Sequence, residues 1–217
     1  MPSTLVHVAV AGLIGTALLG HYFDLKGILS VMGLTAFIDL DTLLGIWIQG
    51  AHRAYLHTLI FPTVLGVLLV WDVYVREESY LMTRWGEYGV RVAWVSLVAL
   101  VAAHSLYDAF FNGVNLFWPL YDRFYDLSGQ LLVSNQRGVV QTFIELGEKG
   151  ETIKGTTANT HYYTGADPSR GPEPKNVERV FHVVATGERL VLMLTGFAVV
   201  AYRAFIEQVR DPSWGKQ

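Results

Sequence analysis

The chain has 217 residues, of which 52% are hydrophobic and only 16% are charged. This composition is too apolar for an ordinary soluble domain and predicts an integral membrane protein. The sequence contains no cysteine, which excludes disulfides, thiolate zinc sites, iron–sulfur clusters and a cysteine nucleophile. The net charge of -3, without a basic run, argues against nucleic acid as a partner.

Apolar runs along the chain predict four or five membrane-spanning helices. Each run is close to the ~20 residues that a helix needs to cross ~30 Å of hydrocarbon. The predicted fold class is therefore an all-α integral membrane bundle. The first run is expected to stay as a helix rather than to be cleaved as a signal peptide, because no basic residues precede it. The candidate spans are residues 5–22, 28–48, 55–75, 90 to about 118, and 190–206.

Residues 119–189 form a polar, glycine-rich and proline-containing stretch between the last two candidate spans. This composition predicts a small extramembrane module that contains β structure, and its simplest interpretation is a cap or lid over the membrane helices. The arms 129–134 and 139–146 are rich in β-forming residues and predict a hairpin. Residues 177–185 suggest another strand, and 165–172 form a turn-rich loop.

The predicted domain organisation has three parts: residues 1–118 as the bundle that carries the site, 119–189 as the module, and 190–217 as the last span with a cytoplasmic tail. Lysine and arginine accumulate on one side of the spans, whereas the short loop on the other side carries only Arg53. The positive-inside rule assigns the first side to the cytoplasm. We therefore expect a multi-pass protein of the cell membrane, with the site and the module on the extracytoplasmic side.

Histidines and aspartates lie inside these apolar stretches or at their mouths. Ionisable groups at bilayer depth are costly, so such a set indicates a functional site. In the predicted topology all of them fall on the same side of the membrane, and residues distant in sequence can therefore share one site. The set consists of His7, Asp39, Asp41, His52, His57, His104 and Asp108.

His104 and Asp108 are the strongest pair. They are four residues apart, so on a helix both side chains lie on one face and can reach one ion. Such a pair is common on the surface of soluble helices. Here the residues around it are apolar, and no solvated face explains it.

The other candidates leave alternatives open. Asp39 and Asp41 are two residues apart and would point ~200° apart on a regular helix, so either only one of them is a ligand or the helix is broken there. The second aspartate would then orient a histidine ring, or one of the two would cap a helix. His57, expected one turn inside the third span, is a ligand or a buried structural histidine. His7 is a ligand or a membrane-interface histidine.

The order and spacing of these motifs resemble those of the YdjM-like family of membrane-bound metal-dependent hydrolases. The resemblance covers roughly residues 1–120. It rests on His7, Asp39-Leu40-Asp41, His52-Arg53, Leu56-His57-Thr58, His104-x-x-x-Asp108, and the run from Asn112 to Pro119.

That family looks distantly similar to zinc-dependent phospholipase C and P1-type nucleases, which cleave phosphoester bonds with metal ions held by histidines and aspartates. The chain lacks their amino-terminal tryptophan ligand and their His-x-x-x-Glu helix, so one or two ions are expected rather than three. The resemblance implies the metal ligands His7, Asp39 or Asp41, His57, His104 and Asp108.

Histidine nitrogens and carboxylate oxygens without sulfur suit Zn²⁺ best and Mn²⁺ next, with an open position for water. Bound water would ionise near neutral pH and attack as hydroxide. His52, Arg53 and Asn112 or Asn115 are the candidates for holding the anionic group of the substrate. A site at the outer headgroup level predicts a membrane lipid or a lipid-linked phosphoester as the substrate.

Two other classes of membrane protein also place ionisable residues in their helices. A transporter or an ion or proton channel would use intramembrane aspartate and histidine, often in repeated halves, and the sequence shows no internal repeat. A haem protein would use histidine pairs but would need neither the Asp39-Leu40-Asp41 motif nor Asp108. A scaffold in which a metal only braces the helices is a further alternative.

Overall fold

The computed structural model describes residues 3–111, 113–144, 152–160, 162, 180 and 182–210. The chain divides into two compact units. The helix unit contains Pro2–Phe37, Phe61–His104 and Val183–Gln217, and the loop unit contains Ile38–Ile60 and Ser105–His182.

Most of the described residues are helical, which agrees with the predicted fold class. The α-helices are α1 Thr4–Leu19, α2 Leu25–Phe37, α3 Asp41–Leu44, α4 Ile60–Val70, α5 Tyr80–Leu100, α6 Leu106–Ala109 and α7 Gly187–Arg210. Gly20–Tyr22 and Ile38–Leu40 are 3₁₀ turns, and Trp71–Val75 and Val101–Ser105 are π-helical.

Within the described ranges, four helical segments are long and apolar enough to cross a membrane, and the fold class is confirmed at this level. They are Thr4–Tyr22, Leu25–Leu44, Tyr80–Ala109 and Gly187–Arg210. A fifth apolar helix, Ile60–Val75, is shorter.

The third predicted span begins too early. Helix α4 starts only at Ile60, so the prediction that His57 lies one turn inside a helix is wrong. The backbone before α4 pairs with another loop segment instead of forming helical hydrogen bonds. Leu59 N donates to Leu116 O over 2.8 Å, and Thr58 Oγ1 donates to the same carbonyl over 2.9 Å.

The fourth predicted span ends too late. The helical segment stops at Ala109, although apolar and aromatic residues continue to Trp118. Gly113 has φ of 87°, a left-handed conformation that ends a helical path and that glycine adopts at little cost. Val114 then forms an antiparallel bridge with Tyr125.

Small residues allow close packing in the helix unit, where α1 contacts α2, α5 and α7. A Cβ atom at Gly15 would lie 2.6 Å from Ile28 Cδ1, and one at Gly196 would lie 2.5 Å from Ala9 O. Such close approach of small residues is typical of helix contacts in membranes. The buried apolar core of this unit contains Ala11, Leu19, Phe23, Ile28, Val31, Met32, Val95, Ala99 and Ala103.

The predicted hairpin is confirmed in the loop unit. Strands β1 Leu131–Ser134 and β2 Gly138–Gln141 pair antiparallel, with Val133 opposite Val139. The strand expected at 177–185 is wrong where it can be compared, because 180 and 182–185 are not in a strand. The loop expected at 165–172 lies outside the described residues.

Three segments without regular structure are joined side by side in the loop unit. Tyr125 bridges both Val114 and Ile153. Asp122 fixes a further junction, because its carboxylate accepts from Asn115 Nδ2 over 2.7 Å and from Thr157 Oγ1 over 2.8 Å. Partial burial raises the pKa of Asp122, but the hydrogen bonds from Thr157 and Asn115 outweigh it and hold the pKa below its ordinary value. These junctions position the residues that follow the helical segment Tyr80–Ala109.

Candidate metal centre

Asp41 holds two histidine rings in the loop unit. Nδ1 of His57 donates to Asp41 Oδ2 over 2.8 Å, and Nδ1 of His52 donates to Asp41 Oδ1 over 2.9 Å. Thr42 Oγ1 is also 2.8 Å from His52 Nδ1, but a carboxylate is the stronger acceptor. Because each Nδ1 carries the proton, the neutral rings present an unprotonated Nε2. Asp41 therefore occupies the position that carboxylates take behind metal-binding histidines.

The helix is broken at the two aspartates, which resolves one of the alternatives that the sequence left open. Helix α2 ends at Phe37, and the 3₁₀ turn Ile38–Leu40 separates it from α3, which starts at Asp41. The N-cap residue of α3 is Leu40, so neither aspartate occupies that position. The carboxylate of Asp41 instead contacts the Nδ1 side of His57, while the carboxylate of Asp39 contacts the Nε2 side.

Nε2 of His57 is approached by two further carboxylates. Asp108 Oδ2 lies 3.2 Å from it and Asp39 Oδ1 lies 3.6 Å from it. Two ligand atoms that each lie about 2.1 Å from one tetrahedral zinc ion are about 3.4 Å apart. Each of these distances therefore fits a histidine and a carboxylate that bind the same ion.

Arg53 binds the carboxylate oxygen of Asp108 that does not face His57. Its NH2 group donates to Asp108 Oδ1 over 3.0 Å, and its NH1 group donates to Gly113 O over 2.8 Å. The side chain is buried. Arg53 also has φ of 65°, a strained conformation for a residue with a Cβ atom that persists only where the surrounding structure holds it. The predicted role of Arg53 in binding substrate stays a prediction, and the observed contact is with Asp108.

The charges of this cluster do not balance. Three carboxylates, from Asp39, Asp41 and Asp108, surround His57, and Arg53 supplies one positive charge. With neutral imidazoles the cluster has two excess negative charges, and Asp41 and Asp108 are buried. Uncompensated buried charge is costly. One divalent cation would supply the two missing charges.

The same imbalance acts on His57. Burial alone would lower its pKa, but Asp41, with further contributions from Asp108 and Asp39, raises the pKa of His57 well above its ordinary value. The cluster therefore favours a positive charge at this position. Asp41, His52 and His57 each offer one ligand atom, all within 4.8 Å of one another, in a group that could hold a metal ion.

His52 presents a second ring nitrogen in the loop unit. Its Nε2 atom is buried and has no hydrogen-bond partner in the described part of the chain. The His52 and His57 rings meet edge to face, with centroids 5.4 Å apart. Since Asp41 fixes the proton on Nδ1, Nε2 is the nitrogen of His52 that can accept a proton or bind a cation.

Tyr162 is a residue of this site that the sequence did not reveal. Its ring lies 4.9 Å from the Arg53 Cζ atom and 6.5 Å from the His52 ring centroid. Burial raises the pKa of Tyr162 to about 12, against the opposing effect of Arg53, so its hydroxyl stays protonated at neutral pH. Tyr162 follows Arg53 by more than one hundred residues in a polar segment without periodicity, and its local sequence carries no signal for this contact.

His7 and His104 meet in the helix unit. Their rings stack with centroids 4.1 Å apart and an interplanar angle of 18°, and both side chains are buried. His7 Nδ1 donates to Ala103 O over 2.6 Å, which leaves Nε2 as the unprotonated nitrogen of that ring. His104 lies in the π-helical segment Val101–Ser105, a distortion that is frequent at functional sites.

The predicted site residues belong to both units. The helix unit brings together His7 and His104, and the loop unit brings together Asp39, Asp41, His52, Arg53, His57 and Asp108. Asn112 lies outside the described residues. Asn115 is buried. Its backbone N–H donates to Arg53 O, and its side-chain Nδ2 donates to the carboxylate of Asp122. These two hydrogen bonds give Asn115 a structural role.

Comparison with known proteins gives one match. Residues 1–206 match the YdjM inner membrane protein family, so the match covers the helices, the candidate metal-binding residues and the module. No curated protein and no solved structure matches the chain. The chain belongs to the YdjM inner membrane protein family.

Proposed function

We propose that this protein is a membrane-bound, metal-dependent hydrolase that cleaves a phosphoester. The observation that carries the proposal is the surrounding of His57 Nε2 by Asp108 and Asp39, with Asp41 on the opposite ring nitrogen. Nitrogen and carboxylate oxygen without sulfur favour Zn²⁺, with Mn²⁺ as the second choice. When bound, such an ion supplies Lewis acidity and lowers the pKa of a bound water to about neutral.

Each residue of the loop unit has a separate task in this proposal. His57 Nε2, Asp39 and Asp108 bind the cation. Asp41 fixes the tautomer and the orientation of His57, and Arg53 holds Asp108 in place through the 3.0 Å ion pair. The paired histidines of the helix unit, His7 and His104, stay predicted ligands, which allows for one or two ions.

His52 is the proposed proton acceptor. Its Nδ1 proton is engaged with Asp41, and its buried Nε2 has no partner in the part of the chain that the structure describes. A neutral imidazole whose proton is fixed on one nitrogen can accept a proton at the other nitrogen. His52 would therefore take the proton from the attacking water and return it to the leaving oxygen.

The proposed substrate is a lipid or lipid-linked phosphoester. The described ranges include four helical segments able to cross a membrane, so the substrates that reach the site most readily are those that reside in the bilayer. The extracytoplasmic orientation of the site is part of the proposal, because it rests on the distribution of lysine and arginine.

Metal analysis and hydrolysis assays on one detergent-purified sample test this proposal. We expect stoichiometric zinc or manganese, together with hydrolysis of bis-p-nitrophenyl phosphate, p-nitrophenyl phosphate or a vesicle-borne phospholipid. His57→Ala should lose both the metal and the turnover. His21→Ala is the matched control, because His21 is exposed and lies in the turn Gly20–Tyr22 of the helix unit.

The outcomes separate the alternatives. Metal that survives His57→Ala would contradict the proposed ligand set. Stoichiometric metal without hydrolysis of any probe, but with zinc flux into proteoliposomes, would replace the hydrolase with a transporter. A native sample that holds no zinc or manganese after both are added back would refute the metal site itself.

A further inference from the structure

The hairpin of the loop unit carries apolar side chains on both faces. Leu132 and Val140, which pair across the strands, are half-buried on the inner face. On the outer face, Leu131, Val133 and Val139 are 66%, 82% and 72% exposed. An antiparallel sheet with one face in water normally alternates apolar and polar residues. This hairpin lacks that alternation, so its outer face indicates a second apolar environment.

The base of the hairpin lies beside the end of a membrane-spanning segment. Phe110 directly follows Ala109, where the helical segment Tyr80–Ala109 ends. The Phe110 ring meets the Phe143 ring edge to face, with centroids 5.6 Å apart. Since a strand advances about 3.4 Å per residue, Val139 is at most about 14 Å from Phe143. The outer face of the hairpin is therefore within reach of the boundary at which this helical segment would leave the hydrocarbon.

Other exposed residues of the loop unit have the composition of a membrane interface. Tryptophan and tyrosine gather at the boundary between lipid and water, and Trp47 and Tyr121 of this unit are 64% and 51% exposed. Large apolar or aromatic side chains of this unit that are at least one third exposed include Phe110, Phe111, Phe117, Leu120 and Tyr121.

Charge also favours lipid as the occupant of the outer face. Between Leu127 and Ile144 the only charged residue is Arg137, which lies in the turn between β1 and β2. An apolar face with a single cation and no carboxylate matches an anionic or zwitterionic bilayer surface. A second copy of the chain is a poorer occupant, because a stable dimer buries about 800 Å² and 20–30 residues per partner and the two strands have only four residues each.

We propose that the outer face of this hairpin, formed by Leu131, Val133 and Val139, rests in the lipid at the membrane–water boundary, with Arg137 at the level of the lipid phosphates. The hairpin is then a membrane-docking element that holds the loop unit against the bilayer. This inference does not depend on the proposed hydrolase activity.

The absence of cysteine makes the test direct. Single variants Val133→Cys and Val139→Cys of the full chain are labelled with a nitroxide and placed in vesicles of phosphatidylcholine and phosphatidylglycerol. The accessibility of the label is measured with oxygen, which concentrates in lipid, and with a water-soluble nickel chelate. Gln136→Cys, in the turn, is the control position that is expected to lie in water. Leu131→Cys is a third position on the outer face.

We expect the ratio of label accessibility to oxygen over accessibility to the nickel chelate to be several-fold higher at positions 131, 133 and 139 than at position 136. Equal ratios at all four positions would overturn the proposal, because the outer face would then lie in water. Low accessibility to both reagents at 133 and 139 would also overturn it, since protein would then cover the face. Dipolar broadening between labels in that case would identify a second copy as the cover. Leu131→Cys keeps the test decisive if either valine variant fails to fold.

Discussion

The loop unit and the helix unit bury different kinds of side chain. The helix unit packs alanine, leucine, isoleucine and valine around α1, and its buried histidines are the stacked pair His7 and His104. The loop unit buries an arginine, aspartates and a histidine in direct contact with one another. Helices satisfy their own backbone, as a membrane requires, whereas the loop unit depends on hydrogen bonds between irregular segments.

We therefore expect substitutions in the two units to have different effects, on stability in the helix unit and on chemistry in the loop unit. Packing of the helix unit depends on shape and tolerates volume-conserving changes. The loop unit holds charged groups whose mutual placement fails as soon as one partner is removed. Changes to the charged residues around His57 should therefore remove metal and activity, whereas changes to the apolar packing residues of the helix unit should lower stability without altering the metal content of the molecules that remain folded.

The largest effect is expected from Asp108→Asn. The substitution removes a proposed ligand and also leaves the buried Arg53 guanidinium without its carboxylate. We expect turnover to be abolished, metal binding to weaken, and stability to fall by about 3–5 kcal/mol, the usual result of breaking a buried ion pair. Metal content, hydrolysis and thermal unfolding measure the three effects. The variant should still insert into the membrane, and full turnover in it would contradict the proposed site.

Asp41→Asn should have a smaller effect on the same unit. Asp41 is proposed to orient His57 and His52, and loss of such an orienting carboxylate costs about 10- to 100-fold in metal affinity or activity. Competitive metal titration and initial rates measure the change. Asp126→Asn is the matched control, because that carboxylate bonds Ser128. A loss of activity as complete as that of Asp108→Asn would show that Asp41 is itself a ligand.

Hydropathy predicted the helix unit well because its signal is local. Apolar runs of the right length gave the fold class and four spans, and the hairpin followed from two β-forming arms. The third span failed because its first residues are apolar enough for a helix, yet Thr58 and Leu59 bond to Leu116 instead. That pairing joins segments more than fifty residues apart, and hydropathy carries no information about it.

The sequence predicted which residues belong to the site better than it predicted the contacts between them. The spacing of Asp39 and Asp41 on a helix already implied that they could not both face one ion, and the structure places them on opposite sides of His57. The Arg53–Asp108 ion pair was not predictable, because the two residues are 55 positions apart and only the tertiary fold brings them together. Tyr162 was not predictable either, since only the tertiary fold brings it to Arg53.

Gly196→Leu tests the helix unit. A Cβ atom at Gly196 would lie 2.5 Å from Ala9 O, so α7 must move away from α1. Overpacking of this kind costs about 1–3 kcal/mol, which thermal unfolding in detergent would detect. Gly33→Leu is the matched control, because a Cβ at Gly33 has no neighbour within 4 Å in the described structure. Metal content per folded molecule should be unchanged in both variants. Loss of metal in Gly196→Leu would contradict the expectation that packing of the helix unit affects stability and not metal binding.

The smallest effect is expected from Tyr162→Phe, and it appears only at high pH. Burial raises the pKa of Tyr162 to about 12, whereas the same group in an unfolded chain titrates near 10. A group whose pKa is higher in the folded state contributes stability that is fully present below the unfolded pKa and is lost as the pH rises through the folded pKa. Tyr162 should therefore make the protein less stable between about pH 10 and 12.

Tyr162→Phe removes that contribution. Thermal unfolding of the native protein and of the variant, compared from pH 7 to pH 12, should show similar slopes below about pH 10 and a shallower loss for the variant above it. The loss common to both proteins reports other tyrosines and lysines, and only the difference belongs to Tyr162. Identical slopes above pH 10 would mean that the Tyr162 hydroxyl reaches water in the native state, and the module would then leave the Arg53 side of the site open.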